Sequence, residues 1–366
     1  MAAVALTSCG NGSAPADQGE LAADTLTHHA RYLTIAQRPD GAVLVDIADP
    51  WSAGYYSYAL VHRDSVLPAD LPSKATVIRT PVERAAVYAQ VYTSAMDELG
   101  AIDALAAIAD SQFFTDNDTV ASLLNQGRIT DLGTSQSPSA ELLAASGSQV
   151  VLRSPYEGMT TAPPPPGLVP VECLDYMESS PIGRAEWMLL FGELFGKREQ
   201  AKAVFEDVID KYSSLAFKVG SSSTPKPKLL VETETSGVWY VPAGESYAAR
   251  LYADAGAAYP WADSKGQGSL ALSLEEVASK ALDADLWLVR SFGYETTPAS
   301  LKALNPRYAS FKALKEGNVY SCDTSVRLIF NNVAFHPERL LADYVAIFHP
   351  DVLPDYQPRY FIKQSK

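Results

Sequence analysis

The stretch that most constrains this chain is Lys197–Val219, KREQAKAVFEDVIDKYSSLAFKV. Apolar residues fall at 201, 204, 205, 208, 209, 212, 215, 216 and 219, one stripe at helical period, and no glycine or proline intervenes before Gly220. At about 1.5 Å per residue such a helix spans roughly 34 Å, the width of a small domain. A flexible linker would be rich in Gly and Ser. This segment is instead a strut, and a strut of that length asks for a folded body at each end. The 366 residues suffice for two, since single cores rarely grow past about 250–300 residues.

On the N-terminal side, short apolar runs mark strands at Ala42–Ile47, Tyr58–Val61, Ala75–Ile78, Leu105–Ala109 and Gln149–Leu152. Thr80-Pro81-Val82-Glu83 reads as a helix start, with a capping threonine, proline in the first turn and glutamate at the third position. That helix is expected to run to Leu99 and close at Gly100. The prolines at 163–166 mark a surface loop. After the break at Ser221–Pro227 the alternation resumes, with strands near Leu229–Glu232, Val238–Val241, Asp285–Val289 and Asn318–Ser321, then a helix near Ala334–Phe348. The pattern predicts an α/β fold: two lobes with mainly parallel central sheets joined by a single long interdomain helix. The divisions are a signal remnant and tether at 1–20, an N-terminal lobe at 21–196, the linking helix at 197–219 and a C-terminal lobe at 220–366.

Several chemistries are excluded by what the motifs lack. A formal charge of −14 argues against nucleic acid, which needs a basic face. Gly192-Glu-Leu-Phe-Gly196-Lys197 is one residue short of a phosphate loop and has Arg198 where Ser or Thr belongs. Neither a G-x-G-x-x-G after a strand nor a G-x-S-x-G elbow occurs. His28, His29, His62, His336 and His349 show no metal-ligand spacing, and His336, before Pro337, reads as structural. Cys173 and Cys322 read as buried free thiols rather than a disulfide. The chain is expected to be a binding protein and not an enzyme, with no resident metal or cofactor.

Ser180-Pro-Ile-Gly-Arg184-Ala-Glu-Trp187, then Phe191–Gly196 and the strut, resembles the helix pair of the periplasmic siderophore-, haem- and cobalamin-binding proteins of ABC importers. In that class of substrate-binding proteins one long helix joins two α/β lobes. Ser137–Leu152, Ala243–Tyr247, Ala253–Gly256 and Leu272–Leu288 are similar to further segments of the family, so the resemblance covers residues 70 to 350. Residues 30 to 70 have no counterpart in it. The resemblance implies a ligand held between the lobes and delivered to an ABC permease dimer by a monomeric receptor. It also implies permease docking through one outer-face glutamate per lobe, whose motif positions map to Glu141 and Glu275.

In open α/β sheets ligands bind beyond the carboxyl ends of the strands. The loops there place Phe113, Phe114, Arg153, Tyr156, Trp239, Tyr240, Arg290, Phe292, Tyr294 and Arg327 as candidate ligand contacts. Adjacent residues on a strand face opposite ways, so one of Trp239 and Tyr240 must face outward. Aromatic rings with a few arginines suit an iron complex, a ferric siderophore or haem. Cobalamin in the same fold is the alternative, and a bilobal extracytoplasmic enzyme with an unrecognised site the second.

The start of the chain fits that setting. Leu6-Thr7-Ser8-Cys9 matches the bacterial lipoprotein pattern, in which the cysteine becomes the lipidated N-terminus. Only Met1–Leu6 precede it, so the signal is expected to be truncated here. Gly10–Glu20 is too poor in large apolar residues to fold and reads as a tether. The expectation is a periplasmic or cell-surface receptor, lipid-anchored through Cys9.

Overall fold

The structure is a computed structural model that describes residues 24–113, 118–159, 164–327 and 329–365. Cys9, the tether and Phe114 lie outside the described residues. The strut is present as a 23-residue helix, Arg198–Gly220, displaced by one residue from the expected span.

Strands β1 (Asp24–Thr25), β2 (Leu33–Gln37), β3 (Val43–Ala48), β4 (Tyr55–His62) and β5 (Thr76–Thr80) form one sheet in that spatial order, antiparallel except for the β4–β5 pair. The sheet holds most of residues 30–70, which resembled nothing, and its β3, β4 and β5 were expected in a parallel sheet, whereas β1 and β2 were not expected. Hairpin connections such as Gly41, at φ 86°, are too short for the crossover that parallel pairing needs. The sheet is tied to the rest of the chain by buried acids. Glu186 accepts the backbone N–H groups of His28, His29 and Ala30 at 2.7–2.8 Å, and Glu178 accepts those of Arg31 and Tyr32 at 2.9 Å.

Strands β6 (Ala85–Val87), β7 (Leu105–Ile108), β8 (Thr130–Asp131), β9 (Val150–Arg153) and β10 (Val169–Glu172) form the parallel sheet of the first lobe, in the order β10-β9-β6-β7-β8. Helices α1 (Gln90–Glu98), α2 (Asp118–Asn125) and α3 (Ala140–Ala145) connect them. The helix expected from Pro81 is corrected here. Residues 85–87 are fully buried and form the central strand, so burial between β7 and β9 overrides a local helix-start signal. Only α1 remains of that helix, and Gly100 closes it at φ 65° as expected.

Helices α4 (Pro181–Ala185), α5 (Met188–Leu194) and α6 (Arg198–Gly220) lead into the second lobe. Its strands are β11 (Leu229–Val231), β12 (Glu234–Thr235), β13 (Val238–Pro242), β14 (Ser269–Leu272), β15 (Leu286–Ser291), β16 (Val319–Asp323) and β17 (Ile362–Lys363). β11, β15 and β16 run parallel with β17 antiparallel at the edge, and β12-β13-β14 is a separate antiparallel sheet. Helices α7 (Tyr247–Asp254), α8 (Leu274–Ala281), α9 (Pro298–Leu304), α10 (Lys312–Glu316), α11 (Ile329–Asn332) and α12 (Pro337–Phe348) complete it.

The strut belongs to both cores. Ala201 packs in the first lobe's core and Tyr212 and Val219 in the second's, while Phe205 and Val208 pack with Ala185 between them. A second tie crosses beside it. Ala334 and Phe335, from the second lobe, are buried in the first lobe's core, where the Phe335 ring meets Phe191 edge-on at 5.4 Å. Next to them His336 presents Nε2 to Glu98 of α1 at 2.6 Å and Nδ1 to Glu338 at 2.9 Å, with Arg339 beside both acids. Two carboxylate acceptors require N–H on both ring nitrogens, which only the imidazolium has.

Trp239 is not a cleft residue. It is fully buried against Trp287, Tyr308 and Phe311 and donates its indole N–H to the Val231 carbonyl at 2.9 Å. Strand alternation therefore puts Tyr240, 48% exposed, on the outer face. Trp239→Ala should lower stability by about 3–5 kcal/mol, against little change for Tyr240→Ala, in denaturant unfolding. A second expectation concerns pH. Burial lowers the His336 pKa, but Glu338 and Glu98 outweigh it and hold it above its ordinary value. A raised folded-state pKa adds stability that is complete below about pH 6.5 and is lost as pH rises through the folded-state value. The difference in unfolding free energy between pH 6 and pH 9 should therefore shrink in His336→Gln; an unchanged difference would contradict the imidazolium assignment.

Candidate ligand-binding cleft

The carboxyl ends of β6, β7, β9 and β10 in one lobe, and of β11, β15 and β16 in the other, deliver loops where α/β sheets bind ligands. Just past β7 and β11, Asp110 and Glu232 both adopt the left-handed backbone region, at φ 55° and 61°. For residues with a Cβ this conformation costs about 1–2 kcal/mol, and such strain gathers at functional sites.

Between the lobes lies a cavity of about 350 Å³. Ala89–Val91 at the start of α1 form one wall, and Tyr247 and Tyr252 of α7, Tyr344 of α12 and Phe330 of α11 form the other. Arg184 from α4 and Arg290 from β15 line it. Arg184 bonds Asp175 through Nε and Nη2 at 3.1 and 3.0 Å, and its guanidinium lies 5.4 Å from the Tyr247 ring centroid. Tyr92 donates to the other oxygen of Asp175 at 3.0 Å. Arg290 pairs with Glu232, Nε to Oε1 at 2.6 Å, with Nη2 on the same oxygen. Glu232 holds the Arg290 guanidinium above its ordinary pKa against the opposing effect of burial, so it stays charged.

The first lobe repeats the device. Arg153, at the end of β9, donates Nε to both carboxylate oxygens of Glu172 at 2.9 Å, its register partner at the end of β10. In each lobe an arginine at the end of one parallel strand, or one residue before it, is thus clasped by a glutamate at or just past the end of its neighbour.

Of the residues expected at the site, Arg290 lines the cavity. Arg153, Tyr156, Phe292, Tyr294 and Arg327 sit at the strand ends or on the loops that follow, outside the cavity wall. Tyr240 is on the outer face of β13, and Trp239 is in the core. Tyr156, Phe292 and Tyr294 are 55%, 64% and 62% exposed, as are Phe113 and Phe330 at 48% and 61%. Of these exposed rings Phe330 also lines the cavity. Arg184, Tyr247 and Phe330 were not foreseen as contacts. Arg184 was visible as a charge inside the apolar segment Ser180–Trp187, but its place depends on how α4 packs.

Cys173 and Cys322 are buried free thiols, and burial pushes Cys322 up to about 12 and Cys173 well above the ordinary thiol value. Among the described residues no three His, Cys, Asp or Glu side chains converge as a metal site. Glu141 and Glu275 are exposed in the first turns of α3 and α8. Glu276 forms the capping box with Ser273, and Glu275 meets Arg307 at 2.7 Å across the surface.

Comparison with known proteins agrees with this geometry. An uncharacterized lipoprotein of Methanocaldococcus jannaschii is 29% identical over 250 residues, which is 66% of this chain and only 58% of that relative's length. A periplasmic binding protein from Veillonella parvula superposes with a TM-score of 0.61 at 15% identity, over 84% of this chain and 98% of that one. A periplasmic heme binding protein from Pseudomonas aeruginosa does so with a TM-score of 0.57 at 17% identity, over 78% and 98%. The model of the periplasmic binding protein family matches residues 86–326, about two thirds of the chain, and the chain belongs to that family.

Proposed function

We propose that this protein is the lipid-anchored substrate-binding component of an ABC importer, which captures an iron complex between its lobes and hands it to a permease dimer. The observation that carries this is a cavity lined by residues of both lobes, by Arg184 and Arg290 and by the rings of Tyr247, Tyr252, Phe330 and Tyr344. Rings supply contact area to a bulky ligand, and a few polar groups orient it. The cavity alone is near the small end of ligand sites, so a ferric siderophore or haem would fill it and lie against its rings. A lipid on Cys9 would keep the receptor at its membrane, and a curated relative is itself named a lipoprotein.

The protein purified from its host should carry iron and an iron-complex visible band, or take up ferric siderophore or haem with quenching of its own fluorescence. Cobalt with a corrinoid spectrum would replace iron with cobalamin, and a protein that binds none of these would overturn the reading.

Docking is expected through Glu141 and Glu275. Each sits at a helix N-terminus, where an acid is favourable without any partner, so the decisive readout is transport. The Glu141→Ala, Glu275→Ala double variant should keep near-normal ligand affinity, lose a little thermal stability and fail in uptake. Normal uptake would reduce both residues to helix-end charges.

A further inference from the structure

The arginines at the cleft share an arrangement that narrows the ligand. Arg153 lies over Glu172, Arg184 over Asp175 and Arg290 over Glu232, and in each case the acid is the more deeply buried partner. Side-chain exposures are 16% against 4%, 21% against 2%, and 36% against 19%. A guanidinium has five N–H donors. Asp175 takes Nε and Nη2 of Arg184, and Glu232 the same atoms of Arg290, so among the described residues Nη1 of each has no acid partner, and both arginines line the cavity. The cleft therefore offers strong donors whose positive charge is already balanced from below. A bare arginine in a partly buried site favours an anion. A balanced one still donates hydrogen bonds, but a carboxylate placed against it leaves a net negative charge where water is scarce, which is costly.

We propose that the cleft selects metal complexes that are electrically neutral and present uncharged oxygen acceptors, such as amide or hydroxamate carbonyls, over complexes bearing free carboxylates or catecholate charge. The inference rests on the metal-complex reading above. Two further features agree with it. The remaining cavity wall is apolar or aromatic, apart from amides such as Gln90 and Asn331. The whole chain carries −14, which repels an approaching anion. Arg327, exposed on the loop after β16, is screened by solvent.

The test is a fluorescence-quenching titration with four probes: a neutral cyclic ferric trihydroxamate, cyanocobalamin, haem and a ferric tris-catecholate. The intact protein should bind at least one neutral complex at least tenfold more tightly than either anionic one. Glu232→Gln keeps an acceptor for Arg290 but removes its counter-charge, and should shift the anionic-to-neutral affinity ratio at least tenfold toward the anions. Asp175→Asn should act in the same direction at Arg184, and serves if the first variant does not fold. Tightest binding of haem or the tris-catecholate by the unmodified protein would overturn the charge-balance proposal and leave the metal-complex reading standing. Failure of all four probes on the unmodified protein would overturn both.

Discussion

The lobes are referred to each other by the helix Arg198–Gly220, because among the described elements it is the one whose buried residues belong to both cores. Its 23 residues fix a span of roughly 34 Å. An α-helix resists bending unless proline, a bulge or inserted water breaks its ladder, and its interior has no proline. The Phe335 plug and the His336–Glu98 contact make a second, parallel tie. Two ties at separate points oppose rotation as well as translation of one lobe against the other.

The second constraint is the use of buried carboxylates. Glu178 and Glu186 hold the backbone of residues 28–32, and Asp343 accepts the N–H groups of Arg359, Tyr360 and Phe361 to hold the C-terminal segment on α12. Burial raises the Glu178 and Asp343 pKa values, and the N–H donors oppose that rise. An unpaired buried acid would be costly, so each is satisfied by several donors that are fixed in turn. The cleft arginines draw on the same device, with Glu172, Asp175 and Glu232 in place of a capping acid.

These pairings show why the fold was legible and the site only partly so. The strut announced itself through apolar residues recurring at 201, 204, 205, 208 and 212, a signal contained in the segment. Most strands were visible from short apolar runs. Residues 85–87 were misread because Ala-Ala-Val fits helix or strand equally, and its burial between β7 and β9 is a tertiary fact. In the flanking sheet β3, β4 and β5 were read from their apolar runs and β1 and β2 were not, and the short connection at Gly41, which rules out a parallel crossover, went unused. Arg153 and Arg290 were singled out because each sits at or just past the end of an expected strand. Their partners Glu172 and Glu232 lie 19 and 58 positions away, and only strand order makes them neighbours.

Strand order also explains how the two lobes reach the same arrangement. In a parallel sheet neighbouring strands end on the same side, so an arginine closing one and a glutamate closing the next come within reach whatever joins them. Arg153 with Glu172 uses β9 and β10, and Arg290 with Glu232 uses β15 and the residue after β11. Each pair also ties the loops that follow its strands. The rings borne there, Tyr156 in one lobe and Phe292 and Tyr294 in the other, start from anchored strand ends while remaining exposed. Anchored bases and exposed rings suit capture of a rigid ligand, because little side-chain order is left to impose on binding. The ion pairs thus do two things with one set of atoms: they hold the loops in place, and they cancel the charge that would otherwise decide what the loops hold.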